Sequence, residues 1–339
     1  MNFGKISPNI YLNRSTMSLR TVLCYPVEDR HCQQLAAVSP ELEIVDAGQE
    51  RIAEELPNAD IFIGHAKVPV PWDEVVAGGR LQWIQSSAAG LDHCLVPPVI
   101  ESSIHVTSAS GLFAHQVAEQ TIALLAGIYR GLPTFFRAQQ QKEFIRRPTR
   151  DLRDSTVGIL GFGGNGRRIA EVLSAFQTRI LATDIFPWDC PPCVEQLWPP
   201  DQLNQLLPQV DILILCVPLT PQTERMIDQQ VLQRMKPGSV LINVARGPVV
   251  VEQDLVEALQ SNHLHAAGID VTEVEPLPSD SPLWDLENVI ITPHVGAQSA
   301  RRVDDTTDLA CENLRRFLDG DTLLNLVDKR LGYPARVKP

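Results

Sequence analysis

Three ionisable residues stand just beyond three separate apolar runs in the second half of the chain: Arg246 after residues 240–245, Glu275 after 265–270 and His294 after 289–292. Their chemistries complement one another. A guanidinium holds a carboxylate through two parallel hydrogen bonds and polarises the carbonyl beside it. An imidazole that titrates near neutrality can hand a proton to a carbonyl oxygen as that carbonyl is reduced. A carboxylate against the imidazole fixes its tautomer and raises its pKa, so that more of it is protonated. The set as a whole supports reduction of a carbonyl next to a carboxylate. Taken singly, each residue has a plainer meaning: a capping histidine, a surface glutamate before Pro276, an arginine in the turn with Gly247 and Pro248.

Reduction needs a hydride source, and residues 156–166 read as the place for one. The apolar run 156–160 leads straight into Gly161, Gly163, Gly164, Asn165 and Gly166, and then into a helix-period segment. Gly161 makes the tight turn, Gly163 lets a pyrophosphate approach the backbone, and Gly166 permits close packing of helix on strand. The phosphates then meet the unpaired N–H groups and dipole of a helix start. The next strand ends in Asp184, whose carboxylate can accept both ribose hydroxyls and repel a 2′-phosphate, so NAD is expected over NADP. Asn165 departs from the usual apolar residue there; it either loosens the packing or puts an amide near the phosphates. Cys216, Val217 and Pro218 close a later strand and are expected to line the adenine pocket.

These groups have to be positioned by elements, and the chain supplies them in alternation. Strand-length apolar runs fall at 21–25, 42–45, 60–64, 81–85 and 105–108, then at 156–160, 179–184, 211–217, 239–244, 265–270 and 288–292, with helix-period segments between them. Such alternation points to an α/β protein with two doubly wound parallel-sheet domains, whose ligands sit beyond the carboxyl ends of the strands. Residues 114–129 read as a largely apolar helix and 300–318 as a second long one. Between them, 133–154 turns polar and basic, through Lys142, Arg146, Arg147, Arg150 and Arg153; it reads equally as a subunit-contact arm and as a solvated linker.

The motifs as a set resemble the D-isomer-specific 2-hydroxyacid dehydrogenase family: GILGFGGNG at 158–166, NVARGPVV at 243–250, GIDVTEVEPLP at 268–278 and TPHVGA at 292–297. The resemblance runs from about Thr21 to Tyr333. It implies a Rossmann NAD-binding domain, residues 113–301, inserted into a flavodoxin-like substrate domain made of 1–112 and 302–339. It implies Arg246 as the substrate-binding arginine, Glu275 as the histidine's partner and His294 as the acid/base. It places Asp270 against the nicotinamide amide, with Gly164, Asn165, Val244, Ala245, His294, Gly296 and Ala297 lining the cofactor. The segment WIQSSAAGLDH at 83–93 is similar to the family's substrate loop, where small residues leave the N–H groups of Ala89 and Gly90 free for a substrate carboxylate. A small 2-hydroxy or 2-oxo acid of the glyoxylate or hydroxypyruvate kind is the expected substrate, and a homodimer through the 114–129 helix and the arm after it the expected assembly. The alternatives are 3-phosphoglycerate dehydrogenase activity, many of whose enzymes carry a further regulatory domain, and a non-catalytic NAD(H)-sensing protein, against which the complete Arg246, Glu275 and His294 set argues.

Composition agrees with an ordinary globular enzyme. The 339 residues are 44% hydrophobic and 21% charged, with a formal charge of −12 that repels phosphate backbones and anionic lipid. Nucleic acid and membrane are therefore not expected partners. Seven cysteines are too few and odd in number for a disulfide framework, and the first twenty residues, with Lys5, Arg14 and Arg20, hold no apolar run of the secretory kind, so a cytoplasmic protein with reduced thiols is expected. Cys190 and Cys193 form a CxxC with no second pair to complete a metal site, and a structural role is expected for them. Trp72, Trp83 and Trp284 are expected as core or interface anchors, and His65, His93 and His105 as packed or exposed rather than catalytic.

Overall fold

The computed structural model describes residues 18–334. Residues 1–16, to which the sequence assigns no role, lie outside the described residues. Among the described residues two compact units divide the chain, one built from residues 18–112 with 299–334 and the other from 113–298.

The first unit begins with β1 (Leu19–Cys24), α1 (Asp29–Ala36), β2 (Leu42–Asp46), α2 (Gly48–Glu55), β3 (Ile61–Gly64), α3 (Trp72–Ala77), β4 (Trp83–Ser86), α4 (Pro97–Glu101) and β5 (His105–Thr107). All pairs are parallel, in the order β2-β1-β3-β4-β5. Successive side chains leave opposite faces of a strand, and both faces are covered here. Val22, Phe62, Ile84 and Val106 therefore join one apolar cluster, while Leu23, Ile61, Ile63 and Trp83 join another. This two-sided burial is why the strands read as nearly unbroken apolar runs.

The second unit opens with α5 (Ala114–Tyr129) and α6 (Leu132–Gln140), then runs through β6 (Thr156–Leu160), α7 (Gly164–Ser174), β7 (Arg179–Thr183), β8 (Gln196–Trp198), α8 (Leu203–Leu206), β9 (Ile212–Leu215), α9 (Gln229–Arg234), β10 (Ser239–Asn243), α10 (Glu252–Gln260), β11 (Leu264–Ile269) and β12 (Val289–Ile291). Its seven parallel strands lie in the order β12-β11-β10-β9-β6-β7-β8, so the strand order reverses between β6 and β9. A ligand is expected at such a reversal. Leu124, Leu125 and Ile128 of α5 and Ile169 and Leu173 of α7 pack with Ile159, Ile180, Ile214 and Ile242 on one face. Leu160, Leu181, Leu213, Leu215, Leu241 and Ile269 fill the other.

The chain returns to the first unit as α11 (Arg302–Asp319), followed by an antiparallel pair, β13 (Val327–Asp328) and β14 (Tyr333–Pro334). Ala310, Leu314 and Phe317 of α11 pack with Leu23, Leu35 and Trp83, and the Trp83 and Phe317 rings stack at 5.3 Å. The His31 ring takes the Glu28 N–H on Nδ1 and so directs its Nε2–H to Asp304, tying α1 to α11.

Four details differ from the sequence expectations. The edge strand β8 was not expected, because three residues after a proline-rich stretch carry no alternation of their own; pairing with β7 makes them a strand. The first part of the 133–154 arm is helical, since Gly131 takes a left-handed conformation and Pro133 sits in the first turn of α6, where its missing N–H costs nothing. α7 starts at Gly164, inside the glycine run, rather than after Gly166. Trp284 is 53% exposed, so of the core and interface roles expected for it the core one is excluded, unlike for Trp72 and Trp83. Among the described residues no helix is long and apolar enough to cross a membrane.

Candidate active site

Arg246, Glu275 and His294 follow β10, β11 and β12, three neighbouring parallel strands whose last residues are in register, Asn243 with Ile269 and Ile269 with Ile291. All three side chains therefore start from one end of one half of the sheet. His294 Nδ1 and Glu275 Oε2 are 2.8 Å apart, and both side chains are open, at 44% and 40% exposed. The second Glu275 oxygen accepts the Thr272 N–H at 3.3 Å, so the carboxylate is oriented from its own loop. With Nδ1 engaged by a carboxylate, Nε2 is the nitrogen that presents a lone pair or a proton to a ligand.

His294 is a non-glycine residue in the left-handed region, at φ 53°. Such a conformation costs about 1–2 kcal/mol and persists where neighbouring bonds hold it. Here three successive N–H groups all donate to one residue, Asp270: His294 to its carbonyl at 2.7 Å, Val295 to Oδ1 at 2.9 Å and Gly296 to Oδ2 at 2.7 Å. Asp270, which is 3% exposed, also accepts the Thr292 hydroxyl on Oδ1 at 2.6 Å.

A comparable clamp shapes the turn that carries Arg246. Asn243 Oδ1 accepts the Ala245 N–H at 3.0 Å, its Nδ2 donates to the Arg246 carbonyl at 3.2 Å, and its carbonyl accepts the Asp270 N–H at 2.9 Å. Asn243 thus joins the arginine turn to the residue that pins the histidine turn. The half-buried Arg246 guanidinium donates through Nη1 to the Ala245 carbonyl at 2.8 Å.

At the reversal of strand order, Gly161 has φ 87°, and a Cβ on it would lie 2.7 Å from the Cys216 carbonyl carbon. A Cβ on Gly166 would lie 2.2 Å from the Gly161 oxygen, so the first turn of α7 lies directly against the glycine turn. Around Gly163, by contrast, no atom lies within 4 Å of the Cβ position. Gly163 is the N-cap and has no side-chain cap, so no capping side chain takes the N–H groups of the first turn. Asp184 Oδ2 accepts the Phe162 N–H at 2.6 Å and Oδ1 the Phe186 N–H at 2.8 Å, which holds the carboxylate beside the glycine turn. Gly164 and Asn165 form the start of α7; Val217, Pro218, Val244 and Ala297 are half-buried at strand ends and turns, and Ala245 is buried. An uncapped helix start, an open glycine and an oriented carboxylate fit a dinucleotide. Once bound, its nicotinamide supplies or takes up a hydride. Asp270 Oδ2 accepts Gly296 and can accept one further N–H, the kind a carboxamide offers.

Ala89 and Gly90 belong to the other unit, in the loop after β4. Ser86 shapes that loop: its hydroxyl accepts the Ala88 N–H at 3.0 Å. Ala89 is exposed and Gly90 half-exposed. His65 and His93 stack face to face at 3.8 Å near the same strand ends. Sequence reasoning passed over Asn243, Thr272, Thr292 and Gln120, because each acts by orienting a neighbour. The one available signal was membership of a motif: Asn243, Thr272 and Thr292 lie inside those at 243–250, 268–278 and 292–297.

Comparison with known proteins shows the family and the fold. Residues 122–296 match the family model described as the D-isomer specific 2-hydroxyacid dehydrogenase NAD binding domain. A glyoxylate reductase of Thermofilum pendens is 33% identical over 272 residues, 78% of each chain. A hydroxypyruvate reductase of Thermotoga maritima is 31% identical over 279 residues, 80% of this chain and 90% of that one. The crystal structure of a D-isomer specific 2-hydroxyacid dehydrogenase from Xanthobacter autotrophicus, in complex with NADPH and MES, superposes with a TM-score of 0.79 at 28% identity, over 92% of this chain and all of that one. A Rossmann sheet with a dinucleotide turn and a histidine–carboxylate pair at its strand ends defines a nicotinamide-dependent oxidoreductase. The chain belongs to the D-isomer specific 2-hydroxyacid dehydrogenase family.

Proposed function

We propose that this protein reduces a small 2-oxo acid of the glyoxylate or hydroxypyruvate kind with NADH, and oxidises the matching D-2-hydroxy acid in reverse. In this proposal Arg246 binds the substrate carboxylate and polarises the keto group; the N–H groups of Ala89 and Gly90 are proposed as the substrate-binding groups of their own unit. His294 delivers the proton from Nε2, and Glu275 holds its tautomer and stabilises the imidazolium before transfer. Gly161, Gly163, Gly164, Asn165 and Gly166 cradle the pyrophosphate, Asp184 the ribose, Val217 and Pro218 the adenine, and Val244, Ala245, Asp270, Gly296 and Ala297 the nicotinamide half. Residues 113–301 act as the cofactor domain, and 1–112 with 302–339 as the substrate domain. The observation that carries the proposal is the 2.8 Å pair of His294 and Glu275 on a turn held by Asp270, at the strand end next to Arg246.

The assembly is proposed to be a cytoplasmic homodimer. Phe136 on α6 is 57% exposed and Phe144 in the arm beyond it 95% exposed, and apolar rings left in water favour burial against a second copy. The enzymatic proposal is tested by following NADH absorbance with glyoxylate, hydroxypyruvate, its 3-phosphate and longer 2-oxo acids. Turnover of a small unphosphorylated acid is the expected result. Preference for the phosphate ester would move the substrate to the phosphoglycerate side, and binding of NADH without any turnover would make the protein a sensor.

A further inference from the structure

We infer that Gln120 and Thr292 are positioning residues for the acid–base histidine and act through Asp270. The inference rests on the proposed role of His294 and adds two side chains that touch neither substrate nor cofactor in that proposal. Gln120 projects from α5 and donates from Nε2 to Thr292 Oγ1 at 2.9 Å; Thr292 Oγ1 is 2.6 Å from Asp270 Oδ1.

The polarity of this chain follows from valence. A carboxylate only accepts, and both Asp270 oxygens already take backbone N–H groups, so the single hydroxyl proton of Thr292 has to point at Asp270. The hydroxyl oxygen is then an acceptor toward its other neighbour, and Gln120 has to present its NH2 group rather than its carbonyl. Each group is thereby held in one orientation, from a helix of the core to the turn of the proton donor.

The consequence for His294 is mechanical. Rotation of the Asp270 carboxylate would break the bonds that Val295 and Gly296 make to its two oxygens, and these bonds, with that of His294 to the Asp270 carbonyl, hold φ at 53°. Among the described residues the Thr292 hydroxyl is the side-chain donor that fixes that rotation. Space is tight on the opposite side, where a Cβ on Gly296 would fall 2.7 Å from Oδ2 and 3.7 Å from Gln120 Cγ. The backbone of Thr292 contributes separately, through its N–H to the Ile269 carbonyl at 2.9 Å, so removing the hydroxyl leaves β12 paired.

The experiment compares Thr292→Val, Thr292→Ser, Gln120→Leu and Gln120→Glu in the full-length protein. Thr292→Val should lower kcat by about tenfold or more, since misplacement of a reacting group by about 1 Å costs about 100-fold. The KM for the oxo acid should change by less than about threefold, because uniform binding is untouched. Thr292→Ser keeps the hydroxyl and should restore kcat to within about twofold. Gln120→Glu should be worse than Gln120→Leu although it is closer in shape, because it accepts where a donor is required and adds a negative charge beside Asp270. A second readout needs no turnover: ring-nitrogen NMR of His294 should show one tautomer, with the proton on Nδ1, in the wild type and Thr292→Ser, and a mixture in Thr292→Val. Equal kcat for the Val and Ser variants, Gln120→Glu as active as wild type, or an unchanged tautomer in Thr292→Val would each overturn the inference. Absence of oxo-acid turnover in the wild type would instead overturn the proposed reaction, and the NMR result would still decide the positioning role.

Discussion

Gly247 follows Arg246 directly, and substituting it with alanine tests whether the arginine turn and the glutamate loop have to touch through backbone. A Cβ at this position would lie 1.7 Å from the Thr272 carbonyl oxygen, 2.0 Å from its carbon and 2.6 Å from the Glu273 nitrogen. Real Cβ contacts stay beyond 3.0 Å, so the two segments have to separate by at least 1.3 Å. The obstacle is backbone on both sides, and no side chain can swing away. Arg246 adjoins one segment, and Glu275, with the N–H of Thr272 on its carboxylate, belongs to the other. Overpacking of this kind costs about 1–3 kcal/mol of stability, and displacement of the proposed catalytic set by about 1 Å costs about 100-fold in rate. Gly247→Ala should therefore melt several degrees lower and lose about 100-fold in kcat/KM for the oxo acid, with the loss in kcat exceeding that expected from the unfolded fraction. NADH oxidation and calorimetry on the same preparations supply both numbers. A variant within threefold of wild type in kcat/KM and unchanged in melting temperature would refute the close-approach reasoning.

Three further outcomes are expected. His294→Ala should reduce kcat by about 100- to 10,000-fold, the usual contribution of a general acid, while NADH still binds; Glu275→Gln, which keeps an acceptor for Nδ1, should lose less. Asp184→Ala removes the acceptor of the Phe162 and Phe186 N–H groups and should weaken NADH by about 10- to 100-fold, from the worth of charge-assisted bonds, while narrowing the gap to NADPH in fluorescence titrations. Burial, and then the charge of Lys329, lowers the pKa of His105, and burial with Arg150 lowers that of His265. Unfolded, these histidines bind protons that the folded protein refuses. The stability they allow is thus present above about pH 6.5 and is lost as pH falls toward the folded values. Melting curves between pH 7.5 and 5.5 should show the fall, and His105→Gln with His265→Gln should flatten it.

Much of this molecule was legible in residue order, for a physical reason. Buried parallel strands show as short apolar runs whatever surrounds them, so eleven of the strands, from Thr21 to Thr292, could be placed, and helix 114–129 showed by its period. Gly161, Gly166, Asp184, Arg246, Glu275 and His294 were visible because backbone clearance and titration chemistry restrict those positions to few residue types. Edge strand β8 and helix α6 were not, since pairing with β7 and a left-handed Gly131 made them, and neither is a local preference of the segment. The exposure of Trp284 was likewise decided by packing.

What the sequence alone determined is the inventory: an acidic α/β chain with a glycine turn for a dinucleotide and an arginine, a glutamate and a histidine each standing after a strand. Tertiary structure decided their relation. Strand order β12-β11-β10 puts three residues from distant parts of the chain at one sheet end, and the 2.8 Å bond between His294 and Glu275 exists only in that order. It also decided that Asp270 is the post on which the His294 turn hangs, and that Gln120, 150 positions before it, fixes the direction of the hydroxyl bonded to it. Hydrogen-bond direction depends on which donor and acceptor meet in space, and that information is absent from any one segment of the chain.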